Sequence, residues 1–283
     1  MKAVSAAAYV VINMDGFTLQ NKNNIWFGSF SAFTQAGFGN AFSCRLHGES
    51  SLVPGGFNLA LHVGDDADKV LSNRKIYAAA LGVAATKFTC CEQIHGDVVA
   101  VIDEAAAGKG ALAYADAVKG TDALVTNLTD VPLLLFFADC VPVIFADPVT
   151  GCIGLAHAGW RGTVADIAQK TVQKMQEAFG ARPQDIIAGI GPCIGSCCYE
   201  VNDTVYNAGK KHAECFTHKG NGKYMADLPE WNRQSLLKAG VLPQHIYRAG
   251  ICTECNKELF FSYRAEGGKT GRMGVTIWKR QKG

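Results

Sequence analysis

Apolar positions fall along this chain in two rhythms. From Phe88 to Ala158 they form short unbroken runs: "FTCCEQI", "VVAVI", "DALVTN", "PLLLFFA", "VPVIFAD" and "GCIGLAHA". Runs with no polar face predict strands of a sheet covered on both sides. "DIIAGIGP" adds another buried strand, and "HIYRAGI", "LFFSYR" and "GVTIW" predict closing strands. A further strand is predicted at "AYVVI" near the N-terminus, and short strands among loops over residues 20–57. Helical spacing appears in "DKVLSNRKIYAAALGV", where Val70, Leu71, Ile76, Ala79 and Ala80 recur with Asp68 as N-cap and Gly82 as stop. The clearest helix is predicted from Thr163 to Gly180, with Val164, Ile167, Ala168, Thr171, Val172 and Met175 on one face. "NDTVYNAGKKH" and "LPEWNRQSLLKAG" predict two more helices. Strands and helices do not alternate, so the expected class is α+β, with mixed β-sheets covered by helices. No repeat or linker divides residues 1–283, which predicts a single domain.

Composition narrows the function classes. A net charge of +2 with scattered Lys and Arg gives no basic stripe for nucleic acid. No apolar run reaches roughly 18 residues, so no membrane span is expected. The run near the N-terminus is a weak imitation of a signal peptide, cut short by Asn13 and Asp15. The eleven cysteines are odd in number and lie largely in apolar segments, at Cys44, Cys90, Cys91, Cys140, Cys152 and Cys193. That predicts reduced thiols in a cytoplasmic protein rather than a secreted disulfide framework, the alternative being a bacterial exported protein with some bridges.

The candidate chemistry sits at the ends of the apolar runs. His95 in "EQIHGDVV", Cys140 in "FADCVP" and His157 in "GLAHAGWRG" each follow such a run and precede a turn signal. Cys140 and His157 suit a nucleophile and its base, two ligands of one metal, or two buried side chains. With His95 they form a one-cysteine, two-histidine set that suits zinc, or copper, with a fourth position open. Arg161 opens a helix after His157, where a phosphate-sized anion finds free N–H groups. Asn58, in a Gly- and Asp-rich loop, is a candidate contact for a base or sugar, and Arg45 a second anion contact. Asp65 and Asp66 are expected to cap the next helix, and His62 to serve the core or support a ligand. "CTEC" (Cys252, Cys255) lacks a matching second pair at zinc-ribbon spacing. Whether the thiols of "CIGSCCY" (Cys193, Cys197, Cys198) meet it in space is not legible. "GIGPCIG" lacks the spacing of a dinucleotide loop.

Taken together, "FNLALHVGDD", "QIHGDVV", "TDALVTN", "ADCVPVIFAD", "GLAHAGWRGT", "GIGPCIGSCCYEV" and "FFSYR" with "TGRMG" closely resemble the laccase-domain family. Its members are called polyphenol oxidases, multifunctional purine nucleoside phosphorylases or peptidoglycan editing factors. The resemblance runs in order from about Ala41 to the C-terminus. It implies one α+β domain with zinc, or copper, held by His95, Cys140 and His157, which would also be catalytic. It places the family's "F-S-T-R" arginine on Arg45, with Cys44 for the usual threonine, and the "N-L" asparagine on Asn58. The chain departs from the pattern at Cys193 and before about Asn40. The implied activities are phosphorolysis of adenosine, inosine, guanosine and methylthioadenosine, deamination of adenosine, and phenol oxidation with copper. The last fits least, because none of the seven histidines stands in an H-x-H pair. The implied partners are a nucleoside and phosphate, with neither nucleic acid nor membrane, in a monomer or homodimer. Two other readings compete. One is a cysteine hydrolase of cell-wall amides, with Cys140 as nucleophile, His157 as base and Asp139 orienting the histidine. The other is a non-enzymatic metal- or partner-binding protein.

Overall fold

The apolar runs "DALVTN", "PLLLFFA", "VPVIFAD" and "GCIGLAHA" are strands with both faces covered. A computed structural model describes residues 16–280, so the strand expected at "AYVVI" lies outside the described residues. The chain runs through β1 (Phe17–Lys22), β2 (Ile25–Phe30), α1 (Ser31–Gln35), β3 (Phe38–Ser43), α2 (Ala67–Leu81), β4 (Val99–Val101), β5 (Ala123–Thr126), β6 (Leu133–Phe137), β7 (Val141–Ala146) and β8 (Ile153–Ala158). It continues through α3 (Trp160–Val164), α4 (Ile167–Phe179), β9 (Ile187–Ile190), β10 (Glu200–Asn202), α5 (Asp203–Ala208), β11 (Phe216–Gly220), β12 (Lys223–Ala226), α6 (Leu228–Lys238), β13 (Ile246–Arg248) and β14 (Met273–Lys279).

Three sheets result among the described residues. One is antiparallel, in the order β1-β2-β3-β14-β6; one is mixed, in the order β13-β9-β7-β8-β5-β4; the third is a small β10-β12-β11 sheet. This is the α+β architecture with mixed sheets that the sequence predicts. The two large sheets face each other. Leu133, Leu135 and Phe137 of β6 pack with Leu124, Ile144 and Leu155 of the mixed sheet in one core. The alternate residues turn outward. Leu134 and Phe136 meet Tyr77 and Ala78 of α2, while Val125, Phe145 and Ala156 meet Ile167, Val172 and Met175 of α4. The layers are therefore helix, sheet, sheet, helix, and every residue of β5 to β9 is buried. Full burial of one such aliphatic side chain contributes about 1.5–3 kcal/mol.

Several boundaries differ from expectation. α2 is capped by Asp66, as expected of it, and not by Asp68: the Asp66 carboxylate accepts from Asp68 N and Lys69 N at 2.9 and 3.4 Å, and Gly82 at φ 74° stops the helix as predicted. Asp65 instead ties the preceding loop together, accepting from Ser50, Ser51, Leu52 and Asn58. The predicted Thr163–Gly180 helix is broken: Asp166, at φ 59°, separates α3 from α4. "LFFSYR" is not a strand. Phe260 and Phe261 are buried, but Ser262 N donates to Glu266 and Arg264 N to Asp139, so the ladder is replaced by turns. "FTCCEQI" makes only isolated bridges at Thr89 and Cys91. No helix among the described residues is long and apolar enough to cross a membrane.

Candidate active site

Cys140 sits where the chain crosses between the two large sheets. β6 ends at Phe137 in one sheet and β7 begins at Val141 in the other. The turn between them places Asp139 at φ 83°, a left-handed conformation that Asp tolerates better than most residues. Its carboxylate accepts from Thr253 Oγ1 at 2.6 Å and Arg264 N at 2.7 Å, which fixes the turn. His157 lies near the end of β8, in register with Pro142 of β7. His95 arrives from the loop before β4 with φ 60°. The three side chains converge, and one ligand atom of each lies within 4.8 Å of the others.

Asp122 organises this set, although sequence reasoning gave it no role. It is fully buried and precedes β5. His157 Nδ1 donates to its Oδ1 at 2.9 Å. The same carboxylate accepts three successive backbone N–H groups, from Ile94, His95 and Gly96, at 3.1, 2.9 and 2.7 Å. One anion thus orients one histidine and moulds the loop that carries the other. Burial opposes its charge, but these donors hold the carboxyl below its ordinary value. The one available signal was a carboxylate opening a wholly apolar strand, which needs an internal partner. Asp139, by contrast, is occupied with Thr253 and Arg264 and does not orient His157.

Two glycines of "HAGWRG" explain the close packing. A Cβ on Gly159 would lie 3.1 Å from His95 Cδ2 and 3.3 Å from Cys140 Sγ. A Cβ on Gly162 would lie 2.7 Å from Gly96 O. Both positions leave room for α3 to dock on the His95 loop.

The electrostatics favour a charged cluster. Burial opposes the Cys140 thiolate, but His157 and His95 pull its pKa down to about 6. Burial likewise opposes the His157 imidazolium, but Cys140 and Asp122 push it up to about 9. The donor set also fits a metal. Asp122 occupies His157 Nδ1, leaving Nε2 for an ion, and such carboxylate–histidine pairs commonly support zinc. A thiolate and two imidazoles match the softness of zinc and of copper.

The cluster opens into a cavity of about 560 Å³. Its wall includes Trp160, Tyr199 and Tyr263 and three arginines, Arg161, Arg264 and Arg272. Arg161 lies over the Trp160 ring, Arg264 over Tyr199 and Arg272 over Tyr263. None of the three forms an ion pair among the described residues. Of the candidate substrate contacts, Arg161 therefore lines the cavity, while Arg45 and Asn58 do not. Arg45 pairs with Glu266 at 2.9 Å, donates to Lys257 O and lies over Phe261. Asn58 is buried and fully used: it donates to Ala60 O and Asp65 and accepts from Ala60 N and Arg272 N. Sequence reasoning missed Arg264 and Arg272, which lie far from the histidine motifs in the chain. His62 is at the cavity wall against Tyr114 and Phe136, rather than in the core or among the ligands.

Comparison with known proteins agrees with the motifs. A family model described as multi-copper polyphenol oxidoreductase laccase matches residues 39–280. The purine nucleoside phosphorylase YlmD of Geobacillus stearothermophilus is 42% identical over 241 residues, 83% of this chain and 88% of that protein. The adenosine deaminase RL5, from an unknown prokaryotic organism, is 37% identical over 230 residues, 80% of this chain and 87% of that protein. The crystal structure of YlmD from Geobacillus stearothermophilus superimposes with a TM-score of 0.89 at 40% identity, covering 94% of this chain and 100% of that one. With the match spanning nearly the whole described chain and the fold shared, this protein belongs to the multi-copper polyphenol oxidoreductase laccase family.

Proposed function

We propose that the chain is a zinc-dependent purine nucleoside phosphorylase that also deaminates adenosine. The observation that carries this reading is the cavity itself. It joins a Cys–His–His donor set to three arginines that have no carboxylate partner among the described residues and to aromatic rings that suit a purine. The names of the similar phosphorylase and deaminase support both activities. His95, Cys140 and His157 would hold the ion, which supplies Lewis-acid charge at the cavity wall. Asp122 keeps His157 in one tautomer and orientation. Arg161, Arg264 and Arg272 bind phosphate, and their guanidinium forks match its oxygens. Trp160, Tyr199 and Tyr263 offer faces for the base and exclude water from it. Phosphorolysis breaks the C1′–N9 bond and forms a C1′–O bond to phosphate, the base leaving with a proton. Deamination replaces the C6 amine by oxygen from water and releases ammonia. Incubating zinc-quantified protein with adenosine, with and without phosphate, tests the reading. Adenine is expected only with phosphate, and inosine in either case. Neither product at full zinc occupancy sinks it. Copper-loaded protein given a phenol tests whether oxidation is a side activity.

A second reading has its own support. Cys140, His157 and Asp122 stand in the relation of nucleophile, base and orienting acid, which suits a cysteine hydrolase of cell-wall amides. That reading expects chelator-insensitive activity and a trappable acyl-enzyme on Cys140. Loss of all activity on chelation, restored by zinc, rejects it.

A further inference from the structure

Four thiols outside the cavity converge on one point. Cys197 and Cys198 come from the segment between β9 and β10; Cys252 and Cys255 come from the segment after β13. Their sulfurs all lie within 4.8 Å of one another. Cys255 Sγ is 3.5 Å from Cys197 Sγ and 3.4 Å from Cys198 Sγ. Those separations are far longer than a disulfide bond. They are close to the roughly 3.8 Å between sulfurs that share a tetrahedral zinc at 2.3 Å each. The thiols therefore surround a point rather than pair off.

Backbone geometry is arranged around the same point. Gly195 N donates to Cys252 Sγ at 3.3 Å, and the Cys255 N–H turns onto the same sulfur. A loop that folds its own N–H groups onto a cysteine sulfur supports a thiolate there, as outer-shell donors do around metal ligands. A Cβ on Gly195 would lie 3.3 Å from both Cys197 Sγ and Cys252 Cβ, so the loop runs directly against the cluster. Cys193 and Cys252 form a parallel bridge, with Cys193 N donating to Ile251 O and Thr253 N to Cys193 O. The two segments are thus already in register.

We propose that Cys197, Cys198, Cys252 and Cys255 hold a second, structural zinc ion that staples these segments together. The "CTEC" pair does have its partners. They are an adjacent cysteine pair from the loop between β9 and β10, which no zinc-ribbon spacing announces. The staple lies behind the cavity wall. Ile194 and Tyr199, beside one thiol pair, line the cavity. Thr253, inside the other, holds Asp139 next to Cys140, and Ile194 N donates to Asp139 O at 2.9 Å. A four-thiolate site is closed, with no position left for substrate, so its role is to fix the wall.

The test counts and identifies metal, separately from activity. Full-length protein purified from zinc-supplemented culture under reducing conditions should carry two zinc ions per chain by elemental mass spectrometry. Cys140→Ala should keep one, and its zinc-edge absorption should fit four sulfurs at about 2.3 Å. Cys252→Ser/Cys255→Ser should lose that ion and melt about 5 °C lower or more. If the double variant does not fold, cobalt substitution of wild-type protein still reads the site through its tetrathiolate spectrum. Wild-type protein whose zinc-edge absorption lacks a four-sulfur component overturns the proposal, as does a folded Cys140→Ala protein without a four-sulfur zinc. Disulfides among the four residues, or an iron–sulfur spectrum, overturn it equally. Failure of the nucleoside assays touches none of these readings.

Discussion

Asp122 uses one carboxylate for two tasks, orienting His157 and folding the His95 loop, so its replacement separates charge from shape. Asp122→Asn keeps the size but cannot accept all four N–H groups. Zinc affinity should fall about 10–100-fold in competition with a chelator. Because the folded carboxyl lies below its ordinary value, its stabilisation is complete above that value and is lost as pH falls. The variant should therefore lose less stability than wild type on acidification, in urea midpoints measured across that range. The Cys140–His157 pair makes a further residue-scale prediction. In zinc-stripped protein, alkylation of Cys140 should rise as pH passes through about 6, while Cys44, which burial pushes up to about 12, stays silent. A Cys140 that alkylates only at the pH of an ordinary thiol contradicts the pairing. At this scale much was legible. His95, Cys140 and His157 stand out because polar groups that end apolar runs are conspicuous. Asp122 does not, since its four donors come from other segments and a lone Asp before a strand reads as a turn residue.

The elements show where local pattern stops being informative. The spacing of Ile167, Ala168, Thr171, Val172 and Met175 predicts α4 correctly, because their burial against the mixed sheet is periodic. The same spacing predicts no break at Asp166. Its cause is tertiary: α3 must dock Gly162 against Gly96 O, and a continuous helix would hold one axis through both contacts. Asp166 then takes the left-handed conformation, its carboxylate meeting Lys211 at 3.2 Å. "LFFSYR" fails as a strand for a related reason: Asp139 and Glu266 capture the N–H groups that a ladder would need. The α3 contact is testable. Gly162→Ala forces the new methyl against a backbone carbonyl, which should cost about 1–3 kcal/mol in urea unfolding. Because that carbonyl belongs to the His95 loop, zinc affinity should fall in the same variant. A loss of stability with unchanged zinc affinity would mean that α3 does not help position His95.

Across the whole molecule, the fold brings to one cavity groups that are far apart in the chain. Arg161 follows the mixed sheet's β8, whereas Arg264 and Arg272 precede β14 of the antiparallel sheet. Only the stacking of the two sheets makes these arginines neighbours, which is why the sequence nominated Arg161 but also Arg45 and Asn58. The latter two are absorbed in holding loops, by Glu266 and by Asp65. The difference predicts a split between the two proposed reactions. Phosphorolysis needs the anion held at the arginines; deamination uses water and does not. A charge-assisted hydrogen bond contributes about 1.5–3 kcal/mol, or about 10–100-fold in binding. Arg264→Met and Arg161→Met should each raise the KM for phosphate by at least about 10-fold on that scale. The rate of inosine formation without phosphate should change far less. Arg45→Met should instead lower stability through its lost contacts with Glu266 and Lys257 O, and leave the KM for phosphate near the wild-type value. Equal losses of both reactions in the Arg264 and Arg161 variants would place these side chains on the nucleoside. A raised phosphate KM in Arg45→Met would return that residue to the anion site that the motif implied.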